Sequence, residues 1–211
     1  NFSGKDKQSI VDYLRVELLN NFTSNLTTIF VNVTRSHITG QSCITLKNFM
    51  TEATPISPKL IVQNESNANL SSRVVGNDLD IKIGNSNNHF FKVYGSLLFA
   101  DITGTAFSNC KNLEINESYS LAFKKTEPYI FESVINSTIQ NYRSNYSSLK
   151  IAFNVPSDSE FGIIFRNSEG IVNQPSFNIT QSSNVYTDDI PILYIGKEGY
   201  IKSGSLEILV W

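Results

Sequence analysis

The stretch that decides the fold class is Asp78-Leu79-Asp80-Ile81-Lys82-Ile83, in which charged and apolar residues alternate strictly. Successive side chains of a β-strand point to opposite faces, so Leu79, Ile81 and Ile83 share one face. The charged residues share the other face, as expected for an antiparallel sheet with one side in water. The segment therefore predicts a strand with one face in a hydrophobic core.

Similar short runs, rich in Ile, Val, Phe, Tyr and Thr, recur along the 211 residues between clusters of Asn, Ser, Gly and Pro. Leu60–Gln63, Leu149–Val155 and Phe161–Arg166 are examples. Strands and turns in this alternation are typical of a β-sandwich. We predict a mostly β fold, an antiparallel immunoglobulin-like or Greek-key β-sandwich with one short helix and an extended N-terminal arm.

The short helix is predicted after Thr126-Glu127-Pro128, where the apolar spacing changes. Thr126 is a suitable N-cap, and Pro128 is tolerated in a first helical turn. The positions i, i+3, i+4, i+7, i+8 and i+11 form one helical stripe. Its members are Phe131, Val134, Ile135, Thr138, Ile139 and Tyr142. We predict a helix over about residues 127–142, with a further strand as the alternative.

The N-terminal arm is predicted from the segment Ser9–Leu19. Read with period two, Ile10, Leu14, Val16 and Leu18 share a face that only Asp12 interrupts. Read as a helix, the other apolar side chains scatter around the wheel, so we favour a strand. Such a strand can pair with its own sheet or complete the sheet of a neighbouring molecule. We therefore divide the chain into an arm at residues 1–20 and a β-sandwich domain at residues 21–211.

Ten Asn-X-Ser/Thr sequons indicate covalent N-glycans on a secreted chain. With 24 Asn and 41 Ser plus Thr, chance would supply about five sequons. An Asn- and Ser-rich composition without glycosylation is the alternative. The sequon asparagines are Asn1, Asn21, Asn25, Asn32, Asn64, Asn69, Asn116, Asn136, Asn145 and Asn178.

Charge and hydropathy exclude several classes of partner. The 17 Lys and Arg residues are spread along the chain, which argues against nucleic-acid binding. No run reaches the roughly 18 apolar residues that a transmembrane helix requires. The chain starts at Asn1 without a basic segment and an apolar stretch, which we interpret as removal of a secretory signal. We expect an extracellular protein without a transmembrane segment.

The two cysteines, Cys43 and Cys110, favour a single disulfide if the protein is extracellular, with two buried free thiols as the alternative. His37 and His89 do not have the spacing of metal ligands, so we expect no metal and no cofactor other than the glycans. The common catalytic motifs, such as Gly-X-Ser-X-Gly and His-Glu-X-X-His, do not occur in the sequence. We therefore predict that the protein is not an enzyme.

The β-rich body, the dense sequons and the N-terminal segment with strand spacing resemble the subunit of the extracellular filaments called threads in Sulfolobales archaea. The resemblance is one of overall character across the whole chain. It implies that each arm inserts as the missing strand of the next subunit's sandwich, giving a pilus-like, head-to-tail polymer with its glycans outside. By this resemblance the donor side chains are Ile10, Leu14, Val16 and Leu18.

The first functional hypothesis is therefore a structural subunit of a cell-surface filament, polymerised by donor-strand insertion and supporting adhesion or biofilm formation. Its partners are other copies of itself, together with surfaces or neighbouring cells. The alternative is a monomeric or envelope-anchored β-sandwich adhesin or sugar-binding module, and a secreted hydrolase is a third reading. The first two differ in the fate of residues 1–20, because a monomer folds this arm back onto itself.

Overall fold

A computed structural model describes residues 7–84, 89–100, 107–176 and 184–211. Of these residues, 43% lie in strands and 23% in helices, so the prediction of a mostly β fold is confirmed. The helices are α1 (Lys7–Asn21), α2 (Arg35–Ile38), α3 (Phe49–Glu52) and α4 (Glu132–Ala152). The strands are β1 (Thr23–Val33), β2 (Cys43–Leu46), β3 (Leu60–Gln63), β4 (Asn69–Leu70), β5 (Ser72–Val75), β6 (Asp78–Lys82), β7 (Phe90–Gly95), β8 (Lys111–Leu113), β9 (Tyr119–Phe131), β10 (Phe161–Arg166), β11 (Val172–Asn173), β12 (Tyr186–Ile195) and β13 (Ile201–Val210).

The chain folds into two compact units. Unit 1 comprises the chain up to Thr23 together with Tyr129–Gly196 and Tyr200–Trp211, and unit 2 comprises Ser24–Pro128 and Lys197–Gly199. This division differs from the predicted arm at residues 1–20 followed by one domain at residues 21–211. The physical reason is that the N-terminal segment shares a hydrophobic core with the C-terminal half of the chain.

Unit 1 consists of an antiparallel sheet with helices packed on one face. Its strand order is β11-β10-β13-β12, and the end of β9 pairs in parallel with β12. Alternate residues of the three central strands point into one core with the apolar stripes of α1 and α4. The strand residues in this core are Phe161, Ile163, Phe165, Ile190, Ile192, Tyr194, Leu206, Ile208 and Val210.

The segment predicted as a donor strand is the helix α1. Val11, Leu14, Leu18 and Phe22 follow one another at intervals of 3, 4 and 4 residues and are fully buried in the core of unit 1, where Ile10 joins them. Val16, which the strand reading placed with Ile10, Leu14 and Leu18, is instead 55% exposed. The helix is favoured over the strand because it buries Val11 together with Leu14 and Leu18. A strand would place Val11 on the opposite face.

Helix α4 confirms the predicted helical stripe, with different ends. Ile135, Thr138, Ile139 and Tyr142 are buried, as a stripe facing the sheet requires. The helix begins at Glu132 and not near residue 127. The pairing of Ile130 and Phe131 with β12 keeps the preceding segment extended.

The last four residues of α4 fall in the segment Leu149–Val155, which was predicted as a strand, and that prediction is wrong. The helix continues to Ala152, and the backbone of Asn145 interrupts it with φ −151° and ψ 53°. Beyond this kink, Tyr146 and Leu149 also pack against the core of unit 1. The apolar run was short enough to fit either period.

Unit 2 is a β-sandwich. One sheet has the strand order β9-β1-β7-β3-β4, and the other has the order β5-β6-β2-β8. The core between them takes residues from both sheets, including Ile29 and Val31 of β1 and Ile44 of β2. Leu79, Ile81 and Ile83 are buried in this core, as the alternation around β6 predicts.

The opposite face of β6 differs from the prediction at one residue. Asp80 is only 6% exposed, although its position in the alternation predicted contact with water. Its carboxylate accepts a hydrogen bond from Thr45 Oγ1 at 2.6 Å and pairs with Arg73 Nε at 2.9 Å. Both partners lie directly opposite Asp80 on neighbouring strands. Cross-strand pairing therefore satisfies this buried charge.

Candidate functional site

The sequons are the first candidate site, and eight of the ten lie within the described residues. Seven of these eight asparagines are exposed, and Asn64 is half-buried. They occur at the end of α1, on β1 and β4, on α4 and in turns. Asn1 and Asn178 lie outside the described residues. A glycan acceptor must lie at the surface, and the seven exposed asparagines meet that requirement.

Three sequon side chains form hydrogen bonds, and one of them is Asn136, whose Oδ1 accepts a bond from Asn173 Nδ2 at 2.7 Å. Asn64 Oδ1 accepts bonds from the backbone N–H groups of Ser66 and Ala68 at 3.0 and 2.9 Å, which leaves its Nδ2 out of that turn. Asn69 Nδ2 donates to the carbonyl oxygen of Glu198 at 3.1 Å. N-glycans are attached through Nδ2. Of Asn64 and Asn69, it is Asn69 whose Nδ2 is already in a hydrogen bond.

Cys43 and Cys110 form a disulfide, as the sequence predicted. Cys43 opens β2, Cys110 precedes β8, and these two strands are parallel neighbours in one sheet of unit 2. The two Cα atoms are 4.5 Å apart, and the bond closes a separation of 67 residues. The disulfide therefore ties together two strands that are distant in sequence.

The predicted donor residues do not form an exposed apolar strand. Ile10, Leu14 and Leu18 lie in the core of the chain's own unit 1, and Val16 lies on the outer side of α1. On the same helix, Arg15 pairs with Asp188 of β12 at 3.3 Å. The structure thus brings three of the four residues together, but in an intramolecular helix.

The acidic residues of β6 are held in ion pairs. Lys47 Nζ lies 2.5 Å from Asp78 Oδ2, and the backbone N–H of Asn48 donates to Asp78 Oδ1. The hydrogen bond from Lys47 lowers the pKa of Asp78, against the opposing effect of partial burial. Within the described residues, no group of three or more His, Cys, Asp or Glu side chains is placed to hold a metal ion.

A tyrosine and carboxylate cluster lies where α4 meets the start of β10, and sequence analysis did not single it out. Tyr146 donates a hydrogen bond to Glu160 Oε2, and Lys150 Nζ lies 2.8 Å from Glu160 Oε1. Partial burial opposes ionisation of Glu160, but these two hydrogen bonds keep its pKa below the usual value. Burial and the Glu160 hydrogen bond raise the pKa of Tyr146.

The same cluster fixes the sheet edge. Phe161 N donates to Tyr146 Oη at 3.1 Å, and Tyr142 Oη donates to the carbonyl oxygen of Phe161. Burial is the main cause that raises the pKa of Tyr142 to about 12. These contacts join α4 to β10, so we assign the cluster a structural role. The spacing of Tyr142 and Tyr146, one helical turn apart, is the signal that could have indicated it.

A cleft in unit 2 is the second candidate site, with a volume of about 630 Å³. Its apolar wall comes from Pro55, Ile56, Pro58 and Leu97. Asn25 also lines it, and among the described residues at the cleft none is charged. The hydroxyl groups around it belong to Ser24, Thr27, Thr54, Ser57, Ser96 and Thr126.

Several contacts hold the walls of this cleft in place. Thr27 Oγ1 and Thr126 Oγ1 are 2.9 Å apart, and Lys124 Nζ donates to the carbonyl oxygen of Thr54. A Cβ atom at Gly95 would lie 2.4 Å from Ile56 Cγ1, so this close approach leaves room only for glycine. The cleft is therefore a formed, neutral surface that combines hydroxyl groups with apolar contacts, as ligand sites commonly do.

Comparison with protein-family models, curated proteins and solved structures finds no significant match. The resemblance to thread subunits stays a prediction. Over the described residues, none of the helices is both long and apolar enough to cross a membrane.

Proposed function

We propose that the protein is an extracellular, N-glycosylated module of a cell surface with a structural or adhesive role. The observation that carries this proposal is the exposure of seven of the eight described sequon asparagines, in a chain whose ten sequons are about twice the number expected by chance. Bulky, solubilising glycans at these positions would cover both units. Charged residues make up only 17% of the chain, so such a coat would add to its solubility.

The disulfide supports the same location. Cys43 and Cys110 are the only cysteines in the chain, and they are bonded to each other. Disulfides persist in oxidising compartments and are rare in the cytosol. We therefore propose that the protein works outside the cell.

Helix α1 favours the monomeric or envelope-anchored form over the thread-like filament. Withdrawing it from unit 1 would expose the buried side chains of Ile10, Val11, Leu14 and Leu18. At about 1.5–3 kcal/mol each, that costs about 6–12 kcal/mol before any new contacts form. A donor-strand filament would require this exchange between subunits, as in domain swapping. We propose the adhesive module as the function and keep the swapped filament as its alternative.

Glycosylation is tested by site-resolved mass spectrometry of the protein secreted from its native host. We expect glycans on the exposed sequons, including Asn21, Asn25 and Asn136. Intact mass before and after enzymatic deglycosylation gives the total number of occupied sites. A protein with all ten sequons empty would refute the proposed function.

The assembly state is tested with Val16→Glu, because Val16 is exposed on α1 but belongs to the apolar face of a donor strand. Val16→Ile is the matched control that keeps this position apolar. We expect wild type and both variants to give the same discrete particles in electron microscopy and light scattering. Filaments from wild type and Val16→Ile that Val16→Glu abolishes would establish the donor-strand polymer instead.

A further inference from the structure

The cleft of unit 2 continues the hydrophobic core at its open end. On β1, Ile29, Val31 and Val33 point into the core between the two sheets. At the N-terminal end of the same strand, Ser24, Asn25 and Thr27 line the cleft. Asn25 therefore lies at the cleft, before the point on β1 at which apolar residues fill the sandwich.

Within the part of the chain that the structure describes, apolar side chains at this cleft are partly or largely exposed. Ile56 packs against the core of unit 2 and also forms part of the cleft wall. Leu97, at the same cleft, is 73% exposed. The half-buried Ile56 and the exposed Leu97 thus form one apolar surface at a concavity, which another group can cover.

Asn25 is a glycan acceptor placed in this cleft, because Asn25-Leu26-Thr27 is a sequon. Its side chain is exposed, so the first sugar attached to Nδ2 would begin at the cleft wall. Sugars carry hydroxyl groups and C–H faces, and the wall offers Ser and Thr hydroxyls beside Pro, Ile and Leu side chains. A covalent tether also gives the glycan a high effective concentration at this surface.

We infer that the N-glycan on Asn25 folds into this cleft, covers Ile56 and Leu97, and closes the open end of the unit 2 sandwich. The glycan is thus part of the folded unit at this position and not a solvated antenna. This inference rests on the proposed glycosylation and adds that one sequon serves the structure of unit 2. Asn21, at the exposed end of α1, is the comparison site.

The first experiment uses the unmutated glycoprotein and an N-glycan-releasing amidase under native conditions, with release followed site by site. We expect the Asn25 glycan to be released at least about tenfold more slowly than the Asn21 glycan, because release requires local opening. After denaturation the two rates should become equal. Equal rates in the native protein, or an empty Asn25 beside occupied exposed sequons, would overturn the inference while leaving the proposed function intact.

The second experiment measures backbone hydrogen exchange in residues 54–58 and 95–97. We expect faster exchange in Asn25→Gln than in wild type and no change in Asn21→Gln. Thr27→Ser, which keeps both the sequon and the hydroxyl beside Thr126, should exchange like wild type. Unchanged exchange in Asn25→Gln would contradict the inference. So would slower exchange in wild type after addition of its own released glycans, because the cleft would then be open to external saccharides.

Discussion

Replacing Leu14 by Ala tests the central structural finding, the intramolecular packing of α1. Leu14 is completely buried in the core of unit 1. The substitution removes three carbon atoms at about 0.8 kcal/mol each, or about 2.4 kcal/mol, before the cavity term is added. Helix α1 contacts two strands of a closely packed sheet, β12 and β13, so collapse around the cavity is restricted. We expect a total loss of about 3–4 kcal/mol in the free energy of unfolding of unit 1.

Trp211 provides a probe for this measurement, because it is the only Trp in the chain and belongs to unit 1. Urea denaturation followed by its fluorescence should show a midpoint lowered by about 1–4 M for Leu14→Ala, given usual urea slopes of about 1–3 kcal/mol/M. The matched control is Val16→Ala, two residues away on the same helix and 55% exposed. We expect that control to change stability by no more than about 0.5 kcal/mol.

A donor strand that is free in the isolated subunit predicts a different result. Leu14 and Val16 would then lie on the same face of an unpacked arm, and neither substitution would change the stability of unit 1. Midpoints that agree for wild type, Leu14→Ala and Val16→Ala would refute the packing of α1. A Val16→Ala loss as large as that of Leu14→Ala would refute the assignment of the buried helix face.

Two further predictions concern cross-links and charge. Replacing both Cys43 and Cys110 by Ala should lower the free energy of unfolding of unit 2 by about 4 kcal/mol, because the disulfide closes a long loop of the unfolded chain. Calorimetry of the oxidised wild type and the double variant measures this difference, and equal stability would contradict the prediction. The pKa of Glu160 is lowered in the folded protein by Lys150 and Tyr146, so its contribution to stability is present above about pH 4.5 and is lost as the pH falls through the lowered pKa. Glu160→Gln should remove this contribution, so the urea midpoint of unit 1 should fall less at acid pH in the variant than in wild type. The same dependence of the midpoint on pH in both proteins would refute this prediction.

The β content of the protein could be predicted from local pattern. Leu79, Ile81 and Ile83 alternate with charged residues, and this two-residue period fits a half-buried strand and no regular helix. Leu60–Gln63 and Phe161–Arg166 were assigned with the same ends that the structure gives. In these segments the pattern and the tertiary environment agree, so the sequence is sufficient.

The candidate sites were predictable only in part. The sequons and the two cysteines are short motifs whose chemistry can be stated without coordinates, and the structure adds their exposure and the bond between Cys43 and Cys110. The cleft beside Asn25 could not be predicted, because it is lined by segments around residues 24–27, 54–58, 95–97 and 126. Sequence separation hides a surface that forms only when these segments meet.

The sequence by itself determined the fold class, the apolar rows of the strands, the stripe of α4 and the positions of the sequons. Only the tertiary structure decided the state of residues 7–21 and the burial of Asp80. The physical reason is that α1 carries apolar residues compatible with either period, and packing against unit 1 selects the helix that buries Val11 with Leu14 and Leu18. Asp80 likewise has its charge satisfied by Thr45 and Arg73, which reach it only across the completed sheet.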